Sequence, residues 1–545
     1  MAENTLYYGD NLKVVPQYIK EESVDLIYLD PPFNSDADYN MLFEEHDGTQ
    51  AAAQIKAFGD TWKWDQESSR AYAGVVEAGG AVSDAMQAFR KFIGENDMLA
   101  YLSMMAPRLK ELHRALKPTG SMYLHCDPTA SHYLKLLMDA VFDPRHFGSE
   151  IIWKRTSAHS DALRYGSVHD SILFYWKSDL ATWHPNYQAY DQEYVDQYYR
   201  YADPDGRRFM SGDLGAAGLQ GGGYEYEWKG IRRIWRLPIS RMQEFDKSGK
   251  LFYTRTGFPR IKRYLDEAKG LPCQDVWTDI EALRSWHKEK LSYPTQKPVE
   301  LLKRIILTSS NPGDLIMDPF CGCGTTIDAT ERVNRENPTE APRRWIGIDI
   351  THLAINLIKY RLSNTYGESC SYKVVGEPET LPDAAQLAKE DPHQFQCWAL
   401  GLIGAGATQG KKGADHGIDG KLVFHDDVDY AETKQVIFSV KAGENVSVAH
   451  VRDLRGVLDR EKAQIGVLIS MHEPTEPMRR EAASADFYKS PWGTSHPRIQ
   501  LLTIKELLEG KKLDMPRTRD ERTFKKAPKA RKKFKPDKSL PFEGR

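Results

Sequence analysis

The chain has 545 residues, 41% apolar and 28% charged, with 77 acidic against 74 basic side chains and a formal net charge of -3. That composition has room for two to four core-forming domains and excludes wholesale disorder, while a near-neutral total gives no overall pull toward nucleic acid. No apolar run reaches the about 18 residues of a membrane span, and the first ten residues lack a charged-then-apolar leader, so a cytoplasmic chain is expected.

In chain order, Val24 to Leu29 reads as a short buried strand ending at Asp30, and Met98 to Leu116 has helical apolar spacing that stops at Lys117-Pro118-Thr119-Gly120. Ser121 to His125 reads as a strand, Ser131 to Phe142 as a helix and Ile151 to Trp153 as the next strand; such alternation implies a parallel sheet. From 156 to 293 the alternation fades into a stretch rich in Tyr, Trp, Arg and Gly, including Gly221-Gly222-Gly223, which is expected to be an inserted domain. Alternation returns with a helix from Pro298 to Ser309, a strand from Asp314 to Met317, a helix after Gly324, a strand from Trp345 to Ile348 and a helix through Leu362.

Beyond Pro382 a smaller α/β unit is expected. Its elements are a helix from Ala384 to Leu402, strands at Lys421 to Phe424 and Gln435 to Val440, a charged helix from Ala449 to Lys462 and a strand from Ile465 to Ser470. The chain ends in a basic segment: Arg522 to Lys538 carries nine Lys or Arg against one Asp, which reads as a solvated tail or as a non-specific phosphate contact. The six cysteines (Cys126, Cys273, Cys321, Cys323, Cys370 and Cys397) have no paired CxxC spacing and are expected to be thiols.

Two loops carry chemistry. Asp30-Pro31-Pro32-Phe33 follows a strand directly, where open α/β sheets place ligand sites. An exocyclic amine of adenine is a poor nucleophile because its lone pair is delocalised into the ring. Acceptors for its two protons favour the pyramidal, reactive form, and Asp30 with the Pro31 carbonyl supplies two. Pro31 and Pro32 stiffen the loop, and Phe33 offers a ring for an extruded base to stack on; the bland alternative is a strand-ending turn. The second loop, Asp318-Pro319-Phe320-Cys321-Gly322-Cys323-Gly324-Thr325-Thr326, lies between strand and helix, with glycines where backbone meets ligand. Gly347-Ile348-Asp349 then ends a strand with a carboxylate suited to ribose hydroxyls, a pairing that points to a nucleoside cofactor; a dinucleotide site is the competing reading, against which FxGxG stands in place of GxGxxG.

These motifs, with DPPF before FxGxG, resemble the amino-group DNA methyltransferases of the beta order. Tyr8-Gly9-Asp10-Asn11 and Thr295-Gln296-Lys297-Pro298 match two further elements of that pattern, and the resemblance covers roughly residues 5 to 376. It implies a circularly permuted Rossmann-like α/β fold, S-adenosylmethionine as cofactor and direct methyl transfer to adenine N6 in double-stranded DNA, with cytosine N4 the near alternative. It implies that Asp30 and the Pro31 carbonyl hold the amine, with Pro32 and Phe33 completing the catalytic loop. Asp318, Phe320, Gly322, Gly324 and Thr325 belong to the cofactor turn, Asp349 to the ribose, Asp10 to the cofactor adenine and Lys297 to its carboxylate. The resemblance also places target recognition in the insert. There Trp228, Arg232, Arg233, Trp235 and Arg236 are candidates for DNA contact, and equally for core packing or a solvated face.

Gly417-Ile418-Asp419-Gly420 and a strand ending Ser439-Val440-Lys441 resemble PD-(D/E)XK restriction-endonuclease-like domains, in which carboxylates bind a divalent metal and activate water. Asp419 and Lys441 match, with Gln396 a candidate contributor. Ser439 replaces the expected acidic or amide residue, and a hydroxyl is a weaker magnesium ligand. Three readings stand: an Mg2+-dependent nuclease, a DNA-binding module, and a fold with no nucleic-acid role. The expected organisation is a catalytic half (1–155), recognition insert (156–293), cofactor half (294–382), endonuclease-like domain (383–513) and basic tail (514–545). A homodimer and a separate restriction subunit are the candidate protein partners.

Overall fold

The computed structural model describes residues 3–32, 63–156, 165–216, 223–407, 417–426 and 433–516, apart from positions 285, 286, 288, 292, 294 and 444. Phe33, Gly221, Gly222 and the basic segment from 517 onward lie outside the described residues.

Among the described residues, nine strands form the main sheet: β1 (Thr5–Tyr8), β2 (Val24–Leu29), β3 (Leu116–Cys126), β4 (Phe147–Lys154), β5 (His169–Trp176), β6 (Val276–Trp277), β7 (Leu315–Asp318), β8 (Arg344–Asp349) and β9 (Lys373–Val375). Their spatial order is β6-β4-β5-β3-β2-β7-β8-β1-β9. Every pairing is parallel except the two made by β5. All six residues of β2 are buried, as the apolar run requires of a strand covered on both faces. Strand alternation divides them: Ile27 and Leu29 join a core with Val14, Met105, Leu109 and Leu134, while Leu26 and Tyr28 join another with Leu302, Ile305, Ile306 and Val333. Each large aliphatic side chain so buried stabilises the fold by about 1.5–3 kcal/mol.

The chain departs from expectation in three places. The helix Asp97–Ala115 ends where expected, yet β3 starts at once at Leu116, and Lys117-Pro118-Thr119-Gly120 lies inside the strand. A register shift against β2 absorbs that irregular start. The stretch 156–293 is not all one insert: β5 pairs with β3 and β4, β6 pairs with β4, and the second compact unit spans only Pro185–Gln274. The alternation fades there because β5 is the antiparallel strand of the sheet and an antiparallel neighbour needs no crossover helix. The segment Ala384–Leu402 is two helices, Leu381–Glu390 and Pro392–Leu402. Asp391 ends the first and accepts from the His393 and Gln394 amides as N-cap of the second, with Pro392 in its first turn.

The C-terminal part is a five-stranded sheet ordered Gly406–Ala407, Gly420–Phe424, Lys434–Lys441, Ile465–Ser470 and Ile499–Thr503, antiparallel over the first two pairings and parallel over the last two. Helices cover both faces: Phe395 and Trp398 pack with Phe424 and Phe438, while Leu454 and Leu458 pack with Ile437 and Leu468. The helix Pro392–Leu402 lies against the helix His352–Tyr366. Gln394 Oε1 accepts the His352 amide at 2.8 Å, and Asn356 donates to the Cys397 carbonyl at 2.7 Å. Gly401 leaves no space there, since a Cβ would stand 2.1 Å from Asn356 Oδ1.

The unit Pro185–Gln274 holds a four-stranded sheet, Leu251–Tyr253, Pro259–Tyr264, Arg208–Asp213 and Tyr201–Ala202 in spatial order, and a hairpin, Tyr224–Trp228 with Ile231–Trp235. Its core gathers Leu214, Trp228, Trp235, Met242 and Leu251.

Candidate functional site

Four adjacent strands deliver the sequence motifs to one edge. In the order β2-β7-β8-β1, their carboxyl ends carry Asp30, the Asp318–Thr326 loop, Asp349 and Gly9-Asp10. Between β2 and β7 the connections diverge, β2 running on toward β3 and β7 toward β8, which is the switch point where an open α/β sheet leaves a crevice for ligands.

Asp30 stands at that crevice. Lys297 Nζ lies 2.5 Å from Asp30 Oδ2, with the two side chains only 10% and 16% exposed. Asp30 Oδ1 is buried and has no hydrogen-bond partner among the described residues. A buried acceptor left unsatisfied costs about 1–3 kcal/mol, so an oxygen kept in this state marks a place for an incoming donor. Lys297 is held by its neighbours. Gln296 accepts the Leu291 amide at 2.6 Å and donates to the Glu289 carbonyl at 2.8 Å, and Pro298 opens the helix Val299–Ser309. Pro31 is buried and Pro32 partly so.

The Gly-rich loop is shaped from beneath by Asp318. Its carboxylate accepts the Phe320 amide at 3.1 Å and the Thr326 hydroxyl at 2.5 Å. Burial pushes the Asp318 carboxyl up to about 7, against those two hydrogen bonds, which favour the anion. Asp318 therefore supports the turn from inside the protein. Gly322 (φ 48°) and Gly324 (φ 73°) both take the left-handed backbone that glycine adopts without penalty. A Cβ on Gly322 would stand 3.3 Å from the Tyr293 ring, and one on Gly324 would stand 2.7 Å from Ile358 Cγ1. Gly324 caps the helix Thr325–Glu336, whose first amides face the same edge. Phe320 is buried, 7% exposed, in the core under the loop, and Thr325 is buried beside Cys323.

Asp349 ties this loop to the next helix. Its Oδ2 accepts the Gly322 amide at 2.9 Å, and its Oδ1 accepts the Thr351 amide and hydroxyl at 2.9 and 2.8 Å. Burial pushes this carboxyl up to about 6, with the Thr351 and Gly322 bonds opposing. One lone pair of Oδ2 is left for a ligand hydroxyl. At the end of β1, Asp10 caps the helix Asn11–Tyr18 through the Leu12 amide and pairs with Arg108 at 2.8 Å. Arg108 also donates to Asn11 Oδ1, and Asn11 Nδ2 donates to the Pro319 carbonyl, both at 2.8 Å. This buried Arg108-Asn11 link locks the Asp10 turn onto the Asp318 loop. Asn11 and Arg108 were not singled out in the sequence; the Asn next to Asp10 was the only local signal, and Arg108 lies 98 residues from its carboxylate partner.

The edge therefore offers the carboxylates of Asp10, Asp30 and Asp349, one lysine and a turn with two glycines in left-handed backbone. That set suits a nucleoside with a charged amino-acid end: a carboxylate for ribose hydroxyls, a cation for a carboxylate, and a turn whose backbone carries no side chains at Gly322 and Gly324. Cys321 and Cys323 are buried thiols whose ionisation burial pushes upward, so neither is poised as a nucleophile.

In the C-terminal sheet Asp419 and Lys441 come together, Lys441 Nζ lying 3.6 Å from Asp419 Oδ2. That oxygen also accepts the Val440 amide at 2.7 Å and the Ser439 hydroxyl at 3.3 Å. Gln396 is partly buried on the helix Pro392–Leu402. Among the described residues, no group of three or more His, Cys, Asp or Glu side chains gathers to hold a metal, and a lone carboxylate surrounded by donors does not suit Mg2+.

In the Pro185–Gln274 unit, Trp235 is fully buried and Trp228 is 7% exposed, so both are core residues. Arg232, Arg233 and Arg236 are exposed. Arg232 stands beside Glu225 at 3.4 Å, Arg233 lies over the Phe258 ring at 5.2 Å, and Arg236 Nε donates to the Gly215 carbonyl at 2.8 Å. Among the described residues, no helix is long and apolar enough to cross a membrane.

Residues 24–360 match the DNA methylase family, and residues 387–509 match a restriction endonuclease family. The chain is 27% identical to the Type II methyltransferase M.EcaI of Enterobacter cloacae over 369 residues, 66% of this chain and 69% of that protein. It is 24% identical to the DNA adenine methyltransferase YhdJ of Escherichia coli K12 over 392 residues, 71% of this chain and 93% of that protein. A solved DNA modification methylase of Thermus thermophilus, complexed with S-adenosyl-L-methionine, aligns over 68% of this chain and 100% of its own, with 16% identity and a TM-score of 0.32.

Proposed function

The chain belongs to the DNA methylase family, and on that premise we propose that it transfers the methyl group of S-adenosylmethionine to adenine N6 at a specific site in double-stranded DNA. The observation that carries this reading is the buried, unpartnered Oδ1 of Asp30, placed at the switch point beside the Gly322-Gly324 cradle. The cofactor, when bound, supplies an activated methyl group on a sulfonium sulfur. Asp349 would hold its ribose, Asp10 its adenine, Lys297 its carboxylate, and Phe320, Gly322, Gly324 and Thr325 the turn around its methionine end.

For the reaction, Asp30 Oδ1 accepts one proton of the target amine and the Pro31 carbonyl the other. This directs the nitrogen lone pair out of the ring plane. The amine would become cationic as the N–C bond forms and the methyl–sulfur bond breaks, the sulfur keeping the electron pair as a neutral thioether; the Asp30 carboxylate stabilises the charge on the amine and takes up its departing proton. Lys297 Nζ lies against the other carboxylate oxygen, Oδ2, and leaves Oδ1 to face the amine. Phe33 stacks on the extruded base, whose unstacking costs a few kcal/mol that contacts with the DNA must offset. We assign those contacts to the Pro185–Gln274 unit, through the exposed Arg232, Arg233 and Arg236 rather than the buried tryptophans.

We read the 387–509 domain as a DNA-binding module, because Asp419 and Lys441 neutralise one another where a nuclease needs a second acidic ligand. Cutting would then fall to a separate restriction subunit; a cytoplasmic location and a homodimer complete the proposal. The test is transfer of labelled methyl groups to duplex DNA, followed by mass spectrometry of the nucleosides. N6-methyladenine is expected, whereas N4-methylcytosine would overturn the base assignment. Metal-dependent cleavage by the same preparation, lost in Lys441→Ala, would establish the nuclease reading instead.

A further inference from the structure

Below Asp30, a line of polar side chains crosses three neighbouring strands with no contact to solvent. Tyr28 stands two residues before Asp30 on β2 and so shares its face of the sheet. Its hydroxyl lies 2.9 Å from His125 Nδ1 on β3, and His125 Nε2 lies 3.1 Å from Asp170 Oδ2 on β5. Tyr28, His125 and Asp170 are 2%, 0% and 2% exposed. Trp153 and Tyr28 both meet the His125 ring edge-on, with centroids at 5.7 and 6.2 Å, so the ring has one orientation. Arg155 reaches Asp170 from the outer side at 3.3 Å.

Stability alone does not call for this arrangement. Well-packed apolar side chains in place of a buried polar trio are commonly neutral or stabilising, whereas each polar group here has been taken out of water and needs its partner. The trio does have a directional consequence. Asp170 can only accept, so it draws the Nε2 proton of His125 toward itself; a neutral ring then presents Nδ1 as an acceptor, and Tyr28 donates to it. Each group has one permitted orientation, and the line ends beneath the catalytic loop. Burial pushes the Asp170 carboxyl upward, but the His125 bond and the nearby charge of Lys297, the partner of Asp30, outweigh it and hold that carboxyl below the usual range.

We propose that Tyr28, His125 and Asp170 form a positioning chain for methyl transfer, which fixes the end of β2 so that the Asp30 carboxylate meets the substrate amine in a single orientation. None of the three touches substrate. They act through the backbone of Leu29 and Asp30 and through the packing of the Tyr28 ring. This inference rests on Asp30 being the acceptor of the target amine.

The test uses the full chain with Tyr28→Phe, Asp170→Asn and the double variant, each assayed for single-turnover methyl transfer, cofactor affinity by calorimetry and thermal melting. Tyr28→Phe removes one hydroxyl and leaves the packing. Its transfer rate is expected to fall about tenfold to a hundredfold, the loss that follows from a misplacement of order 1 Å, while cofactor affinity stays within about twofold. The two substitutions act on one chain, so the double variant is expected to lose little more than the worse single variant. A wild-type rate in Tyr28→Phe, or losses that multiply in full in the double variant, would overturn the proposal. Asp170→Asn keeps a carbonyl acceptor for His125 Nε2 but removes the negative charge and turns a buried NH2 toward Arg155; if it fails to fold, Tyr28→Phe still decides. Asp30→Ala is run alongside, and full activity in that variant would overturn the role of Asp30 itself, a different result from an inert Tyr28→Phe.

Discussion

Cofactor binding is expected to depend on pH through Asp349. Burial pushes its carboxyl up to about 6 from the ordinary 3.8, and a ribose hydroxyl bound by Asp349 needs the anion as acceptor. With a value near 6, about nine-tenths of the carboxyls carry a proton at about pH 5, and each pH unit below 6 costs about tenfold in affinity, or about 1.4 kcal/mol. Isothermal calorimetry with S-adenosylmethionine at about pH 7.5, 6 and 5 measures this directly. Wild type should bind nearly equally at the two higher values and about tenfold more weakly at the lowest. Asp349→Asn should bind weakly throughout and lose the dependence. An affinity unchanged from pH 7.5 to 5 in the wild type would refute the ribose assignment. The same slope persisting in Asp349→Asn would move the titration to Asp318.

Asp318 gives a prediction of opposite kind. Its carboxyl is pushed up to about 7 in the folded chain, so the stability it contributes is fully present below the unfolded value near 4 and is lost as pH rises through about 7. Asp318→Asn should flatten that part of the stability profile in urea titrations at about pH 5.5 and 8. Gly324→Ala places a β-carbon in a left-handed backbone and 2.7 Å from Ile358 Cγ1. The conformation costs about 1–2 kcal/mol and overpacking about 1–3 more, so melting and cofactor affinity should both fall. In the Pro185–Gln274 unit, Trp235→Ala should destabilise by about 3–5 kcal/mol through the emptied core, read as earlier proteolysis of that unit. Arg232→Ala removes one exposed side chain, with a change in stability under about 0.5 kcal/mol, and should weaken DNA binding instead.

Much of the candidate site is legible in the chain because each motif is local: Asp30, the Asp318–Thr326 loop and Asp349 are read from a few consecutive residues, and all three reach the same sheet edge. What the sequence hides is what joins distant positions. The Lys297 contact with Asp30 spans 267 residues, and the His125 contact with Asp170 spans 45, onto the antiparallel strand β5. For Trp228 and Trp235 the sequence leaves DNA contact and core packing equally open, and the structure places both in the core. In the hairpin Trp228 pairs with Ile231 and Trp235 with Tyr224, and strand alternation sends both tryptophans inward. Arg232 pairs with Glu227 and stands beside Glu225, so the local charge is mixed where composition alone suggested a basic face.

The central claim is that Asp30 holds an adenine amine for methylation. The most direct measurement is modified-base sequencing of DNA from cells expressing the wild-type chain and from cells expressing Asp30→Ala. The account predicts N6-methyladenine confined to one sequence motif in the first and absent from the second; the same signal in both would contradict it.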